Sequence, residues 1–270
     1  MSAPDRPNQH TGTVAGVPYV ALPPEGGTGA APLIVVWHMV DAPRSAEEMA
    51  ATLPLTGSGA WRVFVDLPLH GARTPDDVEA VMGEALTDPL LNLHVPIVRQ
   101  AVREFPGVVS GLREELGATG PLGLVGGSLG GAVALTALAE TAVPVTAVAL
   151  VNPAVTARSL VAVAEREFGM GYPWTSEAEE AADRWDFVAR AAELADRVSP
   201  SATLLVSGDR DHTEFRRDAA LLRDALDAAF VTVPDLAHAL VEESDAAVAP
   251  QSPYAKVVDT ELAAWFDARL

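Results

Sequence analysis

One serine in this sequence sits where its hydroxyl could become a nucleophile. Ser128 lies inside Pro-Leu-Gly-Leu-Val-Gly-Gly-Ser-Leu-Gly-Gly-Ala-Val-Ala-Leu, residues 121–135. The apolar residues before it predict a short strand and those after it a helix. Gly126-x-Ser128-x-Gly130 is the G-x-S-x-G pattern of a strained strand-to-helix turn that lifts a hydroxyl clear of a sheet. A helix starting there aims its free N–H groups and positive dipole end at any oxyanion forming beside the hydroxyl. Five residues also fit an ordinary glycine-rich turn, so the reading depends on what accompanies the serine.

A serine hydroxyl needs a base to take its proton, and the base needs a carboxylate to fix its tautomer and stabilise the imidazolium. The histidines are His10, His38, His70, His94, His212 and His238. His10 lies in a polar tail and His94 near the start of a helix. His238 falls in a loop just past the last strand pattern, Phe230 to Val233, and is the best base. The preceding strand, Ala202 to Val206, runs into Ser207-Gly208-Asp209-Arg210-Asp211-His212, which offers Asp211 or Asp209 as the acid. Nucleophile, acid and base then occur in the order Ser, Asp, His, each just beyond a strand.

The elements that must position them alternate along the chain. Strand patterns at Thr13 to Val14 and Val17 to Leu22 suggest a hairpin, and Leu33 to Trp37 reads as a strand buried on both faces. Ser45 with Glu48 three residues on makes a capping box for a helix to Leu53. A strand at Arg62 to Asp66 follows, then helices at Pro75 to Leu86 and Asn92 to Leu116, the latter carrying Pro96 and Pro106. Strands at Pro121 to Val125 and Val145 to Val151 flank a helix at Leu129 to Glu140. Helices at Glu214 to Ala229 and Tyr254 to Arg269 close the pattern. Such alternation predicts an α/β fold with a doubly wound, mostly parallel sheet, whose chemistry sits at the carboxyl ends of the strands. Between Asn152 and Pro200 there is more chain than one crossover needs. Asp183 to Val198 can supply the crossover helix, leaving 157–182 as a small helical lid whose Phe168, Met170, Tyr172 and Trp174 would line a substrate pocket.

The 270 residues suit a single domain, 1–270. A formal charge of −19, from 18 basic and 37 acidic side chains, disfavours nucleic acid and anionic membrane surfaces as partners. With no cysteine there is no disulfide, thiolate metal site or cysteine nucleophile. Met1 to His10 lacks the basic and apolar regions of a secretory signal, and no apolar run approaches the ~20 residues needed to span a bilayer. The expectation is a cytoplasmic protein.

From about Pro32 onward the chain resembles the α/β-hydrolase superfamily. The matching segments are Val125-Gly126-Gly127-Ser128-Leu129-Gly130-Gly131, Val206-Ser207-Gly208-Asp209-Arg210-Asp211 and Leu236-Ala237-His238-Ala239. Val65-Asp66-Leu67-Pro68-Leu69-His70-Gly71-Ala72-Arg73 looks like the D-x-P-x-H-G-x-R segment of bacterial carboxylesterases and dienelactone-hydrolase-like esterases. The resemblance implies Ser128 as nucleophile, His238 as base and, through the G-x-x-D register, Asp211 rather than Asp209 as acid, with His70 structural. It implies a carboxylesterase that cleaves small neutral esters through an acyl-enzyme without cofactor or metal. Thioesterase, lactonase, peptidase and acyltransferase chemistry, or ligand binding without catalysis, are its alternatives. The family's His-Gly-x loop is His38-Met39-Val40-Asp41 here, with methionine replacing glycine. Position assigns the oxyanion donors to Leu129 and Val40, with Met39 the fallback, its thioether near the acyl pocket and Asp41 adding negative charge nearby.

Overall fold

Leu33, Val35 and Trp37 face one side of a sheet and Ile34 and Val36 the other, and all five are buried. A strand apolar on both faces needs a layer on each, which is what the chain builds. The computed structural model describes residues 9–27, 30–85, 87–169, 171–241 and 250–270. Eight strands form one sheet: β1 (His10–Val14), β2 (Val17–Leu22), β3 (Leu33–Trp37), β4 (Trp61–Val65), β5 (Leu122–Gly127), β6 (Ala147–Val151), β7 (Thr203–Gly208) and β8 (Ala229–Val233). Their order is β1-β2-β4-β3-β5-β6-β7-β8. β1, β2 and β4 pair antiparallel, and every pairing from β4 through β8 is parallel. The chain leaves β3 for β4 on one side and returns to β5 on the other. Loops after β3 and β5 therefore meet at the switch point, where doubly wound sheets bind ligands.

Helices α3 (Val95–Leu116), α4 (Leu129–Glu140) and α8 (Thr213–Leu226) bury their apolar stripes on one face of the sheet, and α1 (Ala46–Thr52) and α9 (Pro253–Asp267) on the other. The capping box at α1 forms with one variation. Ser45 Oγ accepts the Glu48 N–H at 3.2 Å, while the Glu48 carboxylate accepts the N–H of Arg44 at 2.6 Å. Pro106 does not break α3, which runs unbroken to Gly117. Its ring is on the exposed face, where water can satisfy the carbonyl it leaves without a donor.

Two connections depart from expectation. Where one crossover helix is expected at Asp183 to Val198, the chain has only the end of α6 (Ser176–Arg184), turns from Trp185 to Arg190 and the short helix α7 (Ala191–Ala195). Trp185 ends α6, and its ring turns inward to donate its N–H to the Ala154 carbonyl at 3.3 Å. Ahead of them α5 (Ala157–Phe168) is anchored to α8, because Thr156 and Ser159 both donate hydroxyls to the buried carboxylate of Asp218. The second departure follows β4. Residues 66–94 carry a 3₁₀ turn at Gly71–Arg73, helix α2 (Val78–Ala85) and a π-helix at Pro89–His94 before α3 begins. Leu86 lies outside the described residues. Tyr172, between α5 and α6, donates its hydroxyl to Asp88 at 2.6 Å and so ties the two excursions together. Among the described residues no helix is long and apolar enough to cross a membrane.

Candidate active site

Ser128 is the N-cap of α4, with φ 48° and ψ −117°. A side chain seldom takes that conformation, which costs on the order of 1–3 kcal/mol when surroundings impose it. The surroundings are explicit here. Ser128 N–H donates to the Val151 carbonyl at 3.0 Å, and its own carbonyl accepts from Gly131 and Ala154 at 2.9 and 3.1 Å. The turn is so tight that a Cβ on Gly126 would stand 2.2 Å from the Gly130 oxygen, and one on Gly130 2.5 Å from the His38 oxygen. The serine side chain makes no capping bond to its helix, which leaves the hydroxyl available.

The hydroxyl meets His238. Ser128 Oγ lies 2.8 Å from Nε2, and Nδ1 of the same ring lies 2.7 Å from Asp211 Oδ1. Nδ1 must carry the proton it shares with the carboxylate, so Nε2 is the lone-pair nitrogen facing the hydroxyl. All three residues are buried, Ser128 with 4 % of its surface exposed. Asp209 takes the other assignment: its carboxylate accepts the Asp235 N–H at 2.7 Å and holds the turn after β8. Phe215 and His212 pack against the His238 ring with centroids 5.0 and 4.9 Å away. Phe215 carries no sequence signal of its own, because α8 brings it to the site through its amphipathic register alone.

The loop after β3 ends beside α4. His38, fully buried, donates from Nδ1 to the Met39 carbonyl at 2.5 Å and accepts the Leu67 N–H on Nε2 at 3.0 Å. The Met39 carbonyl and the Val40 N–H belong to one planar peptide. Gripping the oxygen thus fixes the direction of the N–H. Among the described residues neither the Val40 nor the Leu129 N–H has a hydrogen-bond partner. Met39 is not an equal alternative, since its N–H already donates to the Pro43 carbonyl at 3.2 Å. Its thioether lies in the core instead. Met39 is fully buried in the core beneath Gly127, near Met49, and Asp41 is exposed. Met39→Ala should therefore lower unfolding free energy by about 2–5 kcal/mol, the range for emptying a buried methionine site. Urea titration checks this, with activity per folded molecule within about threefold of wild type.

Burial holds His38 down to about 3 against the pull of its bond to Met39, and burial with nearby His70 holds His94 down to about 4. Both are neutral in the folded protein at pH values where the unfolded chain, with histidines near ~6.5, is protonated. The unfolded state binds more protons in that window, so stability falls as pH drops from about 6.5 toward 4. Melting temperature against pH should show this slope, and His94→Gln should make it shallower by about one proton.

The aromatic residues expected to line a pocket divide. Phe168, at the end of α5, is 73 % exposed and so does not wall an enclosed cavity. Tyr172 and Trp174 pack edge to face at 4.9 Å. Met170 lies outside the described residues. Among the described residues no hydrogen bond or ring contact joins Phe168, Tyr172 or Trp174 to Ser128, Asp211 or His238. His70 donates to or accepts from no member of that trio and lies against the Pro68 carbonyl at 2.9 Å. Asp211, His212 and His238 bring ligand atoms within 4.8 Å of one another. A metal ion is disfavoured there, because the Arg166 guanidinium already occupies His212 Nδ1 at 3.0 Å and adds a positive charge.

No protein-family model matches this sequence, and no curated protein matches it. Solved structures do. A Thermus thermophilus protein aligns with TM-score 0.63 and 21 % identity over 97 % of this chain and 98 % of its own. A serine hydrolase involved in carbazole degradation aligns with TM-score 0.59 and 16 % identity over 97 % of this chain and 99 % of its own. A hyperthermophilic esterase from the archaeon Pyrobaculum calidifontis aligns with TM-score 0.60 and 16 % identity over 96 % of this chain and 84 % of its own. With an eight-stranded, mostly parallel sheet and helices on both faces, the chain has the α/β-hydrolase fold.

Proposed function

We propose that the protein is a cofactor-independent serine hydrolase, most simply a carboxylesterase of small, neutral esters. The observation that carries this reading is the unbroken chain from Ser128 Oγ through the His238 ring to Asp211. His238 Nε2 takes the hydroxyl proton as Ser128 Oγ bonds to the ester carbonyl carbon, and Asp211 stabilises the imidazolium. The carbonyl oxygen, now an oxyanion, accepts from the Leu129 and Val40 N–H groups, and a donor of this kind is worth about 3 kcal/mol of barrier. His238 then protonates the leaving alkoxide as its C–O bond breaks, giving alcohol and an acyl-serine. Water attacks that ester by the same route, releasing acid and free Ser128.

The formal charge of −19 supports neutral over anionic substrates, and the buried triad supports small ones. The lid reading of residues 157–182 stays with this function. Trp174→Ala should change the ranking of acyl chains without changing the labelling of Ser128. The test of the function is pre-steady-state hydrolysis of p-nitrophenyl acetate. A burst of one p-nitrophenol per chain, followed by slower turnover, is the signature of an acyl-enzyme. Absence of both burst and turnover with p-nitrophenyl esters and thioesters would remove the hydrolase reading.

A further inference from the structure

His238 stands on a loop with no regular structure of its own. It lies five residues past the end of β8, and residues 242–249 beyond it lie outside the described residues. Asp211 likewise lies three residues past the end of β7. Two loops from two strands must nevertheless hold a 2.7 Å and a 2.8 Å contact at once. A misplacement of about 1 Å in such a constellation can cost on the order of 10²-fold in rate. Something has to register the loops against each other and against the Ser128 turn.

We propose that Asn152 is the positioning residue that registers all three. It follows β6 directly and is fully buried. Its amide nitrogen donates to the Ala237 carbonyl at 2.9 Å and to the His238 carbonyl at 3.0 Å. Those carbonyls belong to the two peptides flanking the His238 α-carbon, so holding both fixes the backbone from which the imidazole projects. The amide oxygen accepts the Gly208 N–H at 2.8 Å, at the start of the loop that carries Asp211. The backbone N–H of Asn152 donates to Val206 on β7 at 2.9 Å, while its neighbour Val151 accepts the Ser128 N–H at 3.0 Å. One residue thus bonds the supports of acid and base directly and adjoins Val151, which holds the nucleophile's turn, without touching the reacting atoms.

Only an amide fits the role. The site presents two acceptors and one donor, which a carboxylate, with no donor, and a hydroxyl, too short to span them, cannot match. Asn152 also has φ 43°, a region that asparagine enters more readily than other side chains. Its long-range partners, in loops 56 and 85 residues away in sequence, explain why nothing in the linear pattern marked it.

This inference rests on the serine-hydrolase reading for its kinetic consequence but not for its geometry, and the test separates the two. Asn152→Gly keeps the positive φ without strain and deletes all three side-chain bonds; Asn152→Asp keeps the shape and the Gly208 bond but deletes both donations. Both should lower kcat for p-nitrophenyl acetate about 10–100-fold with KM within about threefold, in protein that remains folded. Both should also weaken the low-field proton resonance of the His238 Nδ1–H shared with Asp211, which requires no turnover. In the wild-type chain the Asn152 side-chain amide protons should exchange slowly with solvent, a measurement independent of any variant. Wild-type kcat and an unchanged resonance in a folded variant, or freely exchanging Asn152 amide protons in wild type, would overturn the proposal. A wild-type chain with neither turnover nor fluorophosphonate labelling but with a protected Asn152 amide would instead overturn the hydrolase reading alone.

Discussion

Ser128→Ala should leave a folded protein whose ester turnover is lower by on the order of 10⁶, because among the described residues no other hydroxyl is placed against the lone-pair nitrogen of His238. Alanine retains a Cβ at φ 48°, so the substitution adds no backbone strain. It removes one hydrogen bond, worth about 1 kcal/mol, which melting curves should barely register. Ser128→Gly loses the same bond but relieves the strain, and should be more stable than Ser128→Ala by about 1 kcal/mol. That order reverses the usual preference for alanine over glycine. It would report the stored strain separately from catalysis, and urea titration of the two variants measures it.

The second large effect separates Asp211 from Asp209. Asp211 Oδ1 receives both the His238 Nδ1–H and the N–H of His212, the latter at 2.6 Å. In Asp211→Asn the amide oxygen can keep that position, so the tautomer of His238 is preserved. The negative charge opposite the imidazolium is lost, inside a buried site where charge is poorly screened. Turnover should fall on the order of 10³, somewhat less than the ~10⁴ seen where such a change also disturbs the tautomer. Asp209→Asn should cost less than about threefold, because an amide oxygen can still accept the Asp235 N–H. Steady-state kinetics on proteins of matched melting temperature give the ranking, and a larger loss at Asp209 would transfer the acid role to it.

The alternation of buried apolar strands with amphipathic helices was legible because each signal is local. Leu33 to Trp37 suits a doubly covered strand, and Ser45 and Glu48 announce the start of α1 without reference to the rest of the chain. Ser128, Asp211 and His238 were legible for the same reason, since each lies within a few residues of the end of a strand pattern. What the sequence concealed is decided at long range. Met39 sits where the resemblance to esterases leads one to expect glycine, and only the packing under Gly127 sends its side chain into the core rather than toward the serine. After β4 the helices expected at Pro75 to Leu86 and Asn92 to Leu116 carry no local mark of the bond from Tyr172 to Asp88, 84 residues away, that ties this excursion to the one before α6. The single helix expected at Asp183 to Val198 carries no proline or glycine to interrupt it. It is interrupted by Trp185 and Phe187, which turn into the core, a tertiary demand that overrides helix propensity.

Everything proposed for this site depends first on Ser128 being the nucleophile. Incubation of the intact chain with a fluorophosphonate, followed by proteolysis and mass mapping, should find one phosphonyl group per chain on Ser128, formed rapidly in wild type and absent in Ser128→Ala. A folded, ester-hydrolysing chain that carries the label on another residue, or that remains unlabelled, would contradict it.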